Sequence, residues 1–182
     1  MDLCLLRHGE VGKNSGDVAL TESAKKEIAI VATSIKALNF QITAILTSPL
    51  KRASQTAKIL SKTLGIENRI IICNELAPEG SRAKLAKVLL HYSPDSSILV
   101  VGHKPYLSDL IYEIIYNENG HELKRRASIG SNQSITERSR GIFLKKAGLA
   151  KIRLVSLTPT MSGEIKWLIP PRILKRLQGS RS

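Results

Sequence analysis

The sequence predicts an α/β protein of three layers, α/β/α, with a mainly parallel sheet that ends in an antiparallel hairpin. Short apolar runs rich in Leu, Ile and Val alternate four times with amphipathic stretches of helical period. Turn or helix-start residues bound each run. Past residue 117 the alternation stops, and two strand-like runs follow a long polar stretch. A chain of 182 residues, 42% apolar with 12 Gly and 7 Pro, is sized for one domain around one core.

Residues 2–6 read as the first buried strand. Ala24, Ile28, Val31, Ile35 and Leu38 then keep a spacing of three or four behind a Thr21 cap, which predicts a helix. Residues 42–47 form a second buried strand, and Ala53, Ala57, Leu60 and Leu64 mark a helix opened by Ser48-Pro49. A third buried strand is expected over 69–73. Ser81 caps the next helix, with Leu85, Val88, Leu89 and Tyr92 on its apolar side. The fourth strand spans 97–101, and Pro105 is placed as first residue of a helix bearing Leu110, Ile111, Ile114 and Ile115.

Asn117 to Gly141 has little apolar surface to bury and reads as a long loop or insertion. Beyond it, Lys151–Thr158 and Glu164–Ile169 read as a hairpin joined around Ser162-Gly163, ended by Pro170-Pro171. The expected organisation is a single domain over 1–175 with a polar, basic insertion at 117–140. The basic tail is expected to begin as a short helix at Arg172 and to be frayed over 176–182.

Charge is unevenly placed. Residues 1–120 hold 14 basic and 12 acidic side chains, whereas 121–182 hold 14 basic and 3 acidic ones, within a total of +13. Such a field favours anionic partners without choosing among them. One Trp and 4% aromatics argue against a nucleic-acid partner, because single strands are held on stacking platforms. No apolar run approaches the roughly 18–20 residues of a membrane span, and Asp2 stands where a secretory signal carries Lys or Arg. Cys4 and Cys73 sit in apolar runs with no Cys-x-x-Cys pair, so they read as reduced core thiols. The expectation is a cytoplasmic protein with no membrane partner.

In parallel sheets, ligands bind beyond the carboxyl ends of the strands. Arg7-His8-Gly9-Glu10 follows the first strand, Ser48-Pro49-Leu50-Lys51-Arg52 the second, and Gly102-His103-Lys104 the fourth. Two arginines and two histidines thus converge on one edge beside helix N-termini that favour anions, which describes a phosphate pocket containing a nucleophile.

Leu6-Arg7-His8-Gly9-Glu10, the run from Thr47 to Ala57 and Val101-Gly102-His103 together resemble the histidine phosphatase superfamily, also called phosphoglycerate mutase-like. The short length, Glu75-Leu76-Ala77-Pro78-Glu79-Gly80 and the ending Gly163-Glu164-Ile165-Lys166-Trp167-Leu168 resemble its SixA-type phosphohistidine phosphatases. The resemblance spans 1–116 and 141–175 and leaves 117–140 unmatched. It implies that His8 is the nucleophile, forming a phosphohistidine intermediate, and that Arg7, Arg52 and His103 bind the phosphoryl oxygens. For that His8 must be neutral; Arg7 and Arg52 depress its pKa, and a backbone acceptor on its other nitrogen would fix the tautomer. The chemistry needs no metal and no cofactor.

Two further residues carry alternatives. Asn14 stands where some relatives place a phosphate-binding Asn, or it is a loop residue of a turn-rich stretch. Glu79 lies in the region from which related phosphomonoesterases take a proton donor, or it is a solvated carboxylate, since SixA-type enzymes manage without that acid. His91 and His121 read as solvated, Glu10 as either solvated or catalytic, and Trp167 as core. The implied function is removal of phosphate from protein phosphohistidine; the partner is a phosphorylated protein or a small phosphorylated substrate. The alternative within enzymes is a phosphatase of a small phosphoester or phosphoanhydride. From another class, the alternative is a non-catalytic basic module binding polyanions, which would need arginines but no nucleophile.

Overall fold

The computed structural model describes residues 1–13, 16–116 and 142–179. Six strands form one sheet in the order β3-β2-β4-β1-β5-β6. They are β1 (Asp2–Arg7), β2 (Ala44–Thr47), β3 (Ile70–Ile72), β4 (Ser97–Gly102), β5 (Leu149–Ser156) and β6 (Ser162–Ile169). The first four are parallel, while β5 runs antiparallel to β1 and β6 antiparallel to β5. Helices α1 (Glu22–Ala37), α2 (Lys51–Leu64), α3 (Arg82–Leu89), α4 (Tyr106–Tyr116) and α5 (Pro171–Gly179) complete the fold.

Period-two alternation along the central strands divides the core into two halves. Leu3, Leu5, Leu46, Ile98 and Val100 face one half, shared with Leu85 and Leu89 of α3 and Leu107, Leu110 and Ile114 of α4. Cys4, Leu6, Ile45, Leu99 and Val101 face the other, shared with Ile28, Val31 and Ile35 of α1, Ala57 and Leu60 of α2, and Leu174 of α5. Apolar side chains on both faces of one strand require a covering layer on each side. This is the expected α/β/α architecture.

Local signals act as their chemistry requires. The Thr21 hydroxyl accepts the Ala24 N–H at 3.1 Å, and that of Ser81 accepts the Lys84 N–H at 3.3 Å, each satisfying an otherwise orphan helix donor. Leu38 differs from its expected place on the apolar face: it is the C-cap of α1 and 43% exposed.

Three other expectations need correction. The third strand is not buried but an edge, paired on one side only, so Ile72 is 63% exposed while Cys73 turns inward. The hairpin turn lies over 157–161 rather than at Ser162-Gly163, which belong to β6. Gly163 sits at a register shift opposite Leu154, where a Cβ would come within 2.4 Å of the Arg153 carbonyl oxygen, so a glycine read as a turn marks a close approach instead. The C-terminal helix starts at Pro171 and continues to Gly179, past the expected fraying point at 176, because Leu174 is fully buried on α1 and Lys175 pairs with Glu27 at 2.6 Å. Residues 180–182 and the expected insertion at 117–140, His121 included, lie outside the described residues. Cys4 and Cys73 are buried free thiols, and burial pushes the Cys4 pKa up to about 11. Trp167 is half-buried and stacks on Phe40 with ring centroids 5.3 Å apart. Among the described residues no helix is long and apolar enough to cross a membrane.

Leu174 is the one fully buried side chain described on α5, so Leu174→Ala is expected to destabilise the protein by about 2–5 kcal/mol and release the helix. Urea unfolding checks the first effect. Faster amide exchange in α5 checks the second.

Candidate active site

Strand register brings the site together. Arg7 pairs with Gly102 across β1 and β4, and Thr47 with Val101 across β2 and β4, so three strands end at one level. The ladder continues one step further, with His8 N–H donating to the Gly102 carbonyl at 3.1 Å and Ser48 N–H to the Val101 carbonyl at 3.0 Å. His8, Ser48 and His103 are therefore the first residues past three adjacent strand ends. The rings of His8 and His103 lie 5.0 Å apart, tilted by 57°.

His8 is 7% exposed, and its Nδ1 lies 2.7 Å from the Gly9 carbonyl oxygen. A carbonyl only accepts, so Nδ1 carries the proton and Nε2 keeps its lone pair. Burial, then the Arg52 and Arg7 charges, outweigh the Gly9 hydrogen bond and lower the His8 pKa to about 4. His103 is 2% exposed and falls to about 3, first from burial and then from His8, Arg52 and Arg7. Both imidazoles are neutral near pH 7.

The Arg7 guanidinium donates from Nη1 to the Leu144 carbonyl at 3.2 Å, while its buried Nε has no partner among the described residues. Arg52, in the first turn of α2, is held more loosely, with Nη1 3.8 Å from Asp17 Oδ1. Asp17 also takes the Lys51 N–H on both oxygens, at 2.8 and 3.1 Å. The N-terminus of α2, expected to favour anions, is thus occupied by a carboxylate from another loop.

Other residues of the recognised runs act as ties rather than ligands. Thr56 donates to the Arg52 carbonyl at 2.8 Å and accepts the Gly9 N–H at 3.4 Å, and Gln55 accepts the Leu20 N–H at 2.8 Å. They hold the loop after β1 against α2. Gly9 lets that loop close on α1, since a Cβ there would lie 3.1 Å from Ala24 Cβ and 3.2 Å from Leu20 Cδ2.

The structure thus brings Arg7, His8, Arg52 and His103 to one edge. Glu79 is exposed, and its carboxylate makes no hydrogen bond or ion pair among the described residues. Asn14 lies outside the described residues. Glu10 is exposed and paired with Lys146, whose hydrogen bond and charge hold its carboxyl below the usual carboxylate range. His91 is exposed, as expected.

Sequence reasoning missed Ser48, whose Oγ lies 2.8 Å from His103 Nε2, and Asp17. Ser48 was findable, being the residue at the strand end. It also missed the wall built by 142–148, where Ala147 N–H donates to the Arg7 and His8 carbonyls at 3.0 and 3.3 Å. Those contacts use backbone atoms, which leave no mark in residue type. Among the described residues no group of three or more His, Cys, Asp or Glu side chains is placed to hold a metal ion.

The two depressed histidines make stability depend on pH with a definite sign. Below the ordinary value of 6.5 the unfolded chain takes up protons that folded His8 and His103 refuse until about pH 4 and pH 3. Stability is therefore full above pH 6.5 and is lost as pH falls through that window. Melting temperatures taken from about pH 8 down to about pH 4 should decline, and less steeply when both histidines are replaced by Asn.

The histidine phosphatase superfamily (branch 1) model matches residues 3–77, which include Arg7, His8 and Arg52. An uncharacterized protein of Picosynechococcus sp. is 30% identical over 184 residues, covering 93% of this chain and 100% of that protein. Phosphohistidine phosphatase SixA of Escherichia coli (strain K12) is 25% identical over 123 residues, covering 65% of this chain and 76% of SixA. Among solved structures, the protein histidine phosphatase SixA complexed with tungstate superposes with a TM-score of 0.73 at 21% identity, covering 96% of this chain and 99% of the other. A mycobacterial glucosyl-3-phosphoglycerate phosphatase superposes at 0.66 with 13% identity, covering 91% and 97%. With its motifs on the strand ends of that same sheet, the chain belongs to the histidine phosphatase superfamily, SixA-like in sequence and fold, and is by class a phosphatase.

Proposed function

We propose that the protein removes phosphate from phosphohistidine on a protein, through a covalent intermediate on His8 and without a metal ion. The observation that carries this reading is the His8 tautomer: Nδ1–H is committed to the Gly9 carbonyl, and Nε2 is neutral and unprotonated beside two arginines.

In the first step Nε2 attacks phosphorus as the bond from phosphorus to the departing nitrogen breaks. His8 becomes a phosphoimidazolium, and its Nδ1–H bond to Gly9 strengthens as the ring gains positive charge. The departing ring, protonated on its other nitrogen, leaves as neutral imidazole. Water then attacks phosphorus, phosphate departs, and His8 returns to the neutral form it began in. Neither leaving group needs a proton from the protein, which fits an exposed Glu79. Arg7, Arg52 and His103 gather the equatorial oxygens, and the two guanidinium charges do the neutralising that a divalent cation does in other phosphoryl-transfer sites.

The substrate is read as a phosphorylated protein in the cytoplasm. The basic insertion expected at 117–140 lies outside the described residues. Next to His103, Lys104 Nζ sits 4.1 Å from the centre of the half-exposed Phe143 ring.

His8→Ala should abolish turnover, and wild-type enzyme quenched during turnover should carry phosphate on His8 that is stable to base and lost in acid. Arg52→Ala should lose about a hundredfold or more in kcat, the scale of one removed oxyanion donor, while EDTA changes nothing. Label on another residue, or inhibition by EDTA, overturns the mechanism.

Glu79→Gln separates the enzyme readings, because a general acid matters most for a poor leaving group. Unchanged rates on both phosphoramidate and an alkyl phosphate are expected. A loss confined to the alkyl phosphate would instead favour a small phosphoester as substrate.

A further inference from the structure

We infer that Ser48 is a positioning residue that fixes the tautomer of His103, holding the ring proton on Nδ1 and leaving Nε2 as an acceptor. The inference deepens the proposed reaction and rests on it only for its catalytic consequence. The tautomer itself follows from a count of hydrogen-bonding capacity.

Ser48 is fully buried, and its Oγ has two neighbours within hydrogen-bond distance among the described residues. One is the Leu50 N–H at 3.3 Å, which can only donate. The other is His103 Nε2 at 2.8 Å. If Nε2 carried the ring proton, Oγ would accept twice and its own O–H would be buried with nothing to receive it. If the hydroxyl donates to Nε2, all three groups are matched. Neutral His103 then carries its single N–H on Nδ1, a buried atom with no partner among the described residues.

That unmatched donor has a use. A protonated Nδ1 offers a hydrogen bond to a phosphoryl oxygen, whereas a bare Nδ1 would meet that oxygen lone pair to lone pair. Neighbouring contacts keep the ring in place for it. The His103 carbonyl accepts the Leu107 N–H at 2.9 Å, anchoring the residue to the first turn of α4, and Ser48 is anchored to β4 through Val101. The residue after the β2 strand end thus controls which proton the residue after the β4 strand end presents. His8 has its proton set by a carbonyl and His103 by a hydroxyl, on Nδ1 in both rings. His8 Nε2 is free to attack, while His103 Nε2 is tied down.

Nitrogen-15 NMR of free wild-type enzyme near pH 7, with His103 assigned by comparison with His103→Asn, reads the tautomer without any substrate. The expected result is a proton on Nδ1 in wild type, a mixture of both forms in Ser48→Ala, and recovery of the single form in Ser48→Thr. On the proposed reaction, Ser48→Ala should also lower kcat about tenfold to a hundredfold with little change in melting temperature. A proton on Nε2 in the wild type, or a tautomer indifferent to Ser48→Ala, overturns the inference. Full turnover in His103→Ala would instead overturn the reading of the pocket while leaving the tautomer result to stand.

Discussion

Everything in the pocket depends on three parallel strands stopping at one level. Backbone hydrogen bonds between β1, β4 and β2 run to Arg7, Gly102 and Thr47, and each following residue leaves the sheet beside its neighbours. Parallel pairing makes this possible, since every strand delivers its carboxyl end to the same edge. A shift of one residue in β1 would move Cys4 and Leu6 to the opposite face and point His8 away from His103. Register is therefore enforced by the two half-cores, and the site inherits its geometry from them.

Charge in the pocket is arranged around that geometry. Two guanidinium groups sit near two imidazoles that burial keeps neutral, so the positive charge of the pocket is carried by the arginines and not by the rings. Asp17 occupies the α2 terminus and restrains Arg52 from outside, while Leu144 restrains Arg7 from the opposite wall. Neither arginine is closed into a tight carboxylate pair: Arg7 Nε has no described partner, and Arg52 approaches Asp17 only to 3.8 Å. Guanidinium N–H donors thus remain for a ligand.

Much of this is legible in the sequence. Short continuous apolar runs mark β1, β2 and β4, and apolar spacing of three or four marks the first four helices, because burial on both faces of a strand or on one face of a helix dictates the pattern. Arg7, His8, Arg52 and His103 are readable because they lie at strand ends or in the helix start that follows one. What escaped was tertiary. Ile71 and Ile72 look identical to core residues until the sheet order makes β3 an edge. Ser162-Gly163 carries a turn composition that a bulge also uses. Asp17 capping another element's helix, and carbonyls of Arg7, His8 and Leu144 holding the far wall, depend on where the chain returns rather than on residue type.

The acceptor for the Arg7 side chain lies 137 residues further along the chain, and the neighbouring Ala147 also grips the Arg7 and His8 carbonyls. β1, the strand that carries both motif residues, is moreover central, with β5 as its second neighbour. During synthesis the amino-terminal motif emerges first but lacks one wall and one flank until residues 144–154 leave the ribosome. The ordering of Arg7 consequently waits on a contact that spans 137 residues of chain. A polypeptide stalled before that point displays the recognition sequence of a phosphatase without its assembled pocket, so competence arrives together with completion of the sheet.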